Sequence, residues 1–167
     1  SKFSYPCEAL TFSPDFMSMY FTKFSKKDGK LKIIKGQYTE GGKSPGWTFD
    51  PDTQDFCRDN ASYTHPALSA DSRIRIFASD RDGNWDVFVM DADGGNQRAL
   101  TSSLNWELFP AWSPGGSRIA FTGLRPNSRN TDVYLMDADG GNVRQLTDSP
   151  GFDENPAWSP GGEWLAF

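Results

Sequence analysis

Histidine is almost missing from this chain: His65 is the only one, which rules out a histidine-based metal cluster. Cysteine is nearly as scarce, with Cys7 and Cys57 alone. Lysine stops early, since all eight lie between Lys2 and Lys43, whereas all nine arginines lie between Arg58 and Arg144. The net charge of −5 supplies no basic field for nucleic acid or an anionic membrane, and the locally positive start reads as a solvated hairpin surface. No apolar run approaches the ~20 residues of a membrane span, so membrane insertion is not expected. The opening SKFSYPCEAL does not read as a signal peptide, and because the numbering begins at Ser1 this leaves export open. No segment sustains apolar residues at i, i+3, i+4 and i+7, so almost no helix is expected. No G-x-S-x-G elbow occurs, so a hydrolase of that type is not encoded in this stretch.

What remains is aromatic and rich in turn formers. Aromatic residues make up 14% of 167, and 16 Gly with 11 Pro mark frequent turns, the composition of a globular body and not of a disordered one. The turns are spaced regularly. MDADGGN stands at Met90 to Asn96 and again at Met136 to Asn142. It sits inside longer matching segments: PALSADSRIRIF and DVFVMDADGGNQRALT from Pro66, then PAWSPGGSRIAF and DVYLMDADGGNVRQLT from Pro110. A third start, PAWSPGGEWLAF at Pro156, runs to Phe167. The starts lie 44 and 46 residues apart, in the ~40–50-residue range of four-stranded propeller blades. A diverged copy precedes them, with ALTFSPDFMSMYFTK at Ala9 to Lys23 and KLKIIKGQY at Lys30 to Tyr38.

Short β-branched and aromatic runs such as Val87 to Met90 and Val133 to Met136 read as strands, apolar on both faces because each blade is packed between two others. One unit is expected to hold an inner strand at Phe109 to Ser113, a Pro114-Gly115-Gly116 turn and a second strand at Ser117 to Thr122. A third strand follows at Asp132 to Met136, and an outer strand at Val143 to Thr147. In the connecting DADGG turn, glycines supply the positive φ of a tight hairpin and aspartates accept from nearby backbone N–H groups. The second blade departs from the pattern: its first turn, Ala70-Asp71-Ser72, lacks Pro and Gly, and Arg75 aligns with Ile119 and Leu165 at an apolar position. The expected fold is all-β, a single partial propeller over residues 1–167 with blades at about 5–59, 60–103 and 104–149 and a half blade at about 150–167.

The PAWSPGG of Pro110 to Gly116, the DVYLMDADGGNVRQLT of Asp132 to Thr147 and the junction from Phe152 to Pro160 resemble the TolB-like, WD40-like propeller repeats of bacterial envelope proteins. The resemblance implies a six-bladed parent, of which this open ring of about three and a half blades is a fragment. It also implies a place in the periplasm or cell envelope, or secretion, and a protein partner such as an envelope lipoprotein or peptidoglycan-associated protein. Self-association of the isolated stretch is expected as well, because an open blade face exceeds the few hundred Å² of apolar patch usual for monomers.

No cofactor and no metal are expected. The twelve-residue calcium loop needs oxygen ligands at positions 1, 3 and 5, Gly at 6 and Glu at 12. Counted from Asp137, position 5 is Gly141, position 6 Asn142 and position 12 Asp148; counted from Asp91, position 12 is Ser102. Catalysis is not expected either, because the carboxylates recur with the repeat at Asp86/Asp132 and Asp91/Asp137, and a feature repeated in each blade builds the blade. For Cys7 and Cys57, both near the approach to an inner strand, a disulfide and two unpaired thiols both stand, since spacing alone does not bring two Cα atoms to ~5–6 Å.

What varies between blades is the loop entering each inner strand. Aligned at Pro-Ala, these read Tyr63-Thr64-His65, Glu107-Leu108-Phe109 and Asp153-Glu154-Asn155, preceded by Ser62, Trp106 and Phe152. Aromatics beside acids suit a protein-binding surface at the central face. The candidate binding residues are Tyr63, His65, Trp106, Glu107, Phe109, Phe152, Asp153 and Glu154, with the alternative that Trp106 and Phe152 are a repeated packing residue. Three readings remain: a non-enzymatic interaction module, the accessory, substrate-gating propeller of a larger prolyl-oligopeptidase-like serine peptidase, or a purely architectural stretch within a multi-repeat envelope protein.

Overall fold

The computed structural model describes residues 9–40, 46–49, 59 and 61–167. Cys7 and Cys57 lie outside the described residues, and so does the question of their pairing. Among the described residues there is no helix, as the missing 3.6-residue periodicity predicts.

Three four-stranded antiparallel sheets follow one another, each a blade with its strands in chain order. The first holds β1 (Leu10–Phe12), β2 (Ser18–Ser25), β3 (Lys30–Thr39) and β4 (Gly46–Phe49). The second holds β5 (Tyr63–Leu68), β6 (Ile74–Ser79), β7 (Asp86–Asp91) and β8 (Arg98–Ala99). The third holds β9 (Glu107–Trp112), β10 (Arg118–Leu124), β11 (Thr131–Asp137) and β12 (Arg144–Gln145). A two-stranded sheet of β13 (Ala157–Trp158) and β14 (Leu165–Ala166) completes the array.

The two-faced strands do what their sequence predicts. On one face of the second sheet, Tyr63, Phe77, Phe88 and Met90 pack against Tyr20 and Ile33 of the first. On the other, Ile76, Val87 and Val89 meet Ile119, Phe121 and Met136 of the third. Register makes this possible, since Phe77 stands opposite Phe88 and Ile76 opposite Val89, and neighbours along a strand point to opposite faces.

Hairpin chemistry accounts for the doubled motif. Gly94 and Gly140 take φ of 83° and 95°, and Asn96 and Asn142 also lie in the left-handed region, at 50° and 53°. In both copies the first Asp accepts from the Asn amide, Asn96 to Asp91 at 2.6 Å and Asn142 to Asp137 at 2.7 Å. The second Asp accepts from a glycine N–H, Gly95 to Asp93 and Gly141 to Asp139, each at 2.8 Å. The carboxylates are occupied by the turn itself.

Both departures in the second blade have structural answers. Ser72 takes the positive φ (59°) that Gly116 and Gly162 take in the following units, and Asp71 accepts from Ser69 Oγ at 2.6 Å, so the turn keeps its shape without glycine. Arg75 is 3% exposed, and its Nη2 donates to the Tyr20 hydroxyl at 2.7 Å while the guanidinium lies 4.3 Å from that ring's centroid. A tyrosine supplied by the first blade thus makes a cation tolerable at an apolar position. Replacing Arg75 with Leu is expected to cost about 1–3 kcal/mol by taking the donor from a buried hydroxyl, whereas the Arg75→Leu, Tyr20→Phe double variant recovers most of it. Urea midpoints of the four species check this.

The other face of the first sheet is apolar from edge to edge. Cross-strand partners put Leu10 beside Phe21, Phe12 beside Met19, Gly36 beside Phe49 and Tyr38 beside Trp47, all on the side away from Tyr20 and Ile33. Gly36 is required there, because a Cβ would lie 2.9 Å from the Phe49 ring.

Candidate functional site

The inner strands of the second and third blades start with the same irregularity. Thr64 pairs with Ala78 and Ala67 with Ile76, so His65 and Pro66 together stand opposite Phe77; Phe109 and Pro110 likewise stand opposite Phe121. This is a β-bulge, and proline fits it because it has no N–H to lose from the ladder. The residue before each proline has positive φ: His65 at 50°, Phe109 at 53° and Asn155 at 56°. Asparagine and histidine are among the types that tolerate this, whereas phenylalanine is not, so the bulge stores strain of roughly 1–3 kcal/mol at Phe109. It also brings these two side chains together, with ring centroids 4.1 Å apart across neighbouring blades.

Two residues before the positive-φ position, each loop is tied by a bond between residues four apart. The Tyr63 hydroxyl donates to Asp59 at 2.8 Å, Ser103 Oγ donates to Glu107 Oε1, and Ser149 Oγ donates to Asp153 at 2.9 and 3.0 Å. The chemistry differs but the clamp recurs. Tyr63 is fully buried and Glu107 is 5% exposed, so both hold their loops and neither offers contact surface. Asp153 is half-buried in its clamp, and Glu154 accepts from Thr131 Oγ1 at 2.9 Å. Trp106 and Phe152 are 57% and 70% exposed. Trp106 therefore stands out from the loop although another sheet follows it, which is not how an inter-blade packing residue sits. Leu104, which no sequence signal marks, is 99% exposed on the same loop. That loop is pinned from below by Asn84, whose amide donates to the carbonyls of Ser103 and Asn105 at 3.1 and 2.8 Å.

The electrostatics of the second and third loops diverge. In the third blade, Asp132 is fully buried and answered by a two-pronged bond from Arg125, with Nε to Oδ2 and Nη2 to Oδ1 both at 2.7 Å. In the second blade the corresponding Asp86 lies beside Glu107, with Thr101 Oγ1 donating between them, 3.1 Å from Glu107 Oε2 and 3.4 Å from Asp86 Oδ1. Among the described residues no ion pair reaches either acid. Arg81, the residue aligned with Arg125, is engaged elsewhere: it bonds Gln97 at 2.7 Å, pairs with Asp59 at 3.6 Å and lies over the Phe88 ring. Burial, with the neighbouring Asp86 adding to it, pushes the Glu107 carboxyl up to about 7, and burial raises Asp86 too. Burial also lowers His65 to about 4, and its Nδ1 has no hydrogen-bond partner.

These two shifts oppose each other in stability. Glu107 binds its proton more tightly folded than unfolded, so its contribution is complete below about pH 4.5 and lost as pH rises through about 7. His65 binds its proton less tightly folded, so its contribution is complete above about pH 6.5 and lost as pH falls towards about 4. Each slope is about 1.4 kcal/mol per pH unit, so the two nearly cancel where they overlap. Glu107→Gln is expected to expose the histidine slope, with stability rising from about pH 4 to 6.5; His65→Gln should expose the opposite one. Denaturant midpoints across this range measure both.

No family model matches the chain. Relatives and solved structures do. The Tol-Pal system protein TolB of Myxococcus xanthus is 44% identical over 62 residues, which cover 37% of this chain and 13% of that protein. A TolB homolog of Chlorobium luteolum is 37% identical over 103 residues, covering 56% and 24%. The structure of a putative TolB from Agrobacterium tumefaciens superposes with a TM-score of 0.74 at 26% identity, over 99% of this chain and 58% of that one. The chain thus spans less than two thirds of the length of each. A puromycin hydrolase shares the fold alone, at 15% identity and a TM-score of 0.59. Repeat sequence, sheet order and these likenesses agree in making the chain similar to the TolB-like β-propellers.

Proposed function

We propose that the chain is a non-enzymatic interaction module of the bacterial cell envelope, its blades forming one domain that binds a protein partner through the loops entering its inner strands. The observation that carries this is the loop from Thr101 to Glu107, which holds Leu104 and Trp106 out in solvent while its base is bound by Asn84, Ser103 and Glu107. Exposed aromatic and aliphatic side chains on a pre-ordered support are what a binding hot spot needs, because little conformational entropy is lost on contact. The relatives' place in a Tol-Pal system supports the periplasm as the compartment and an envelope lipoprotein, or another peptidoglycan-associated protein, as the partner class. The bulge residues His65 and Phe109 and the third loop's Phe152, Asp153 and Glu154 extend the same surface, with Tyr63 and Glu107 as supports. The apolar outer face of the first sheet is a second contact surface, through which the isolated chain self-associates.

Calorimetric titration with the soluble domain of a peptidoglycan-associated lipoprotein tests the reading. Leu104→Ala and Trp106→Ala should each weaken binding by about 2 kcal/mol, roughly thirtyfold, while Asp139→Ala in the opposite hairpin leaves it unchanged. Equal binding by all four proteins would overturn it. The accessory-propeller alternative is supported by fold likeness alone, as to the puromycin hydrolase; an adjoining catalytic α/β domain in the whole protein would favour it.

A further inference from the structure

We propose that Asp86 and Glu107 share a single proton and act as a latch on the Thr101 to Glu107 loop, holding Leu104 and Trp106 in their binding position when protonated and releasing them when ionised. The inference rests on the binding role given to this loop and adds its regulation.

Asp86 and Glu107 are 2% and 5% exposed, on β7 and at the start of β9, and they face each other across the junction of two blades. One hydroxyl, Thr101 Oγ1, reaches both, and it also accepts from Val87 N–H at 2.9 Å, so it is fixed by the strand. Ser103 Oγ closes on the other oxygen of Glu107, receives the Asn105 N–H at 3.0 Å, and so ties the acid to the residue just before Trp106. The neighbouring blade shows the alternative construction, in which Arg125 neutralises Asp132. Two desolvated carboxylates without such a cation cannot both ionise at ordinary cost, so one proton stays between them.

The surrounding charges reinforce this. Asp82, on the loop before β7, disfavours ionisation of Asp86. Tyr134 of β11 faces Glu107 and brings no positive charge; the Arg125–Asp132 pair beyond it is internally compensated. The β10 residue opposite Glu107 is Gly123, which has no side chain to offer. Glu107 titrates at about 7, so the latch works within the ordinary pH range of a compartment open to the outside. On ionisation the two carboxylates repel, Glu107 turns towards water, and Ser103 loses the acceptor that fixes the loop.

The test follows the indole N–H of Trp106 and the amide of Leu104 by NMR in the whole chain between pH 5.5 and 8.5. Both signals should move with one midpoint at about 7. In Glu107→Gln, which keeps the shape and cannot ionise, they should stay at their low-pH positions. In Asp86→Asn, which removes the neighbouring charge, the midpoint should fall by about one unit. A Trp106 titration that persists unchanged in Glu107→Gln, or no movement in the wild type, overturns the latch. These signals need no partner, so a normal titration with no lipoprotein binding would sink the partner reading and leave the latch standing.

Discussion

Replacing Arg125 with methionine is expected to lower the denaturant midpoint of the chain, because it strands a buried carboxylate. Asp132 is fully buried, and Arg125 supplies both of its short bonds; Gln145 Nε2, at 3.0 Å from Oδ2, would remain as its only compensation from the outer strand. Arg125 also donates to the Ser149 carbonyl at 3.0 Å, so the loop that leads to Phe152 and Asp153 should loosen at the same time. Adding Asp132→Asn should restore much of the lost stability, because a neutral amide costs far less to leave in place. Denaturant unfolding of the single and double variants separates the buried-charge cost from simple loss of packing.

A loss of about 3–5 kcal/mol is expected from Phe77→Ala. Phe77 is fully buried, with Tyr63 at 5.5 Å and Phe88 at 5.8 Å between ring centroids, both stacked, and the Arg81 guanidinium 5.6 Å from its own centroid. Alanine would leave a cavity against the first blade that these stiff rings cannot fill. The melting temperature should fall by roughly 10 °C for a chain of this size. Because the tyrosine that clamps the first loop through Asp59 leans on Phe77, that loop should also become more exposed to hydrogen exchange.

The fold was largely legible because its signals are local and repeated. The strand runs, the hairpin glycines and the 44- and 46-residue spacing all read directly into sheets whose strands follow chain order. Strand ends were less legible. The outer strand expected at Val143 to Thr147 pairs only at Arg144 and Gln145, because Thr147 Oγ1 takes the Val133 N–H at 3.0 Å in place of a ladder carbonyl. The bulges were hidden: Phe109 carries no signal of positive φ, and at His65 and Asn155 the residue types are only enriched in that region.

For the candidate site, the sequence located the right loops but not the roles within them. Acids beside aromatics looked like surface, yet Glu107 is drawn inward by Thr101 and Ser103, and Tyr63 by Asp59. The recurrence of Thr and Ser at the same distances before Glu107 and Asp153 was the available sign of a clamp. Leu104 carried no sign at all, since a lone leucine in a loop looks the same whether it is covered or bare. The Asp86–Glu107 pairing depends on which way Arg81 turns, and Arg81 lies over the Phe77 and Phe88 rings of β6 and β7.

The most direct measurement is amide and indole shift mapping of this chain with the soluble lipoprotein domain added. The account predicts changes concentrated at Leu104, Trp106 and Phe152, with the doubled hairpins at Asp93 to Asn96 and Asp139 to Asn142 unmoved. Changes centred on those hairpins would contradict it.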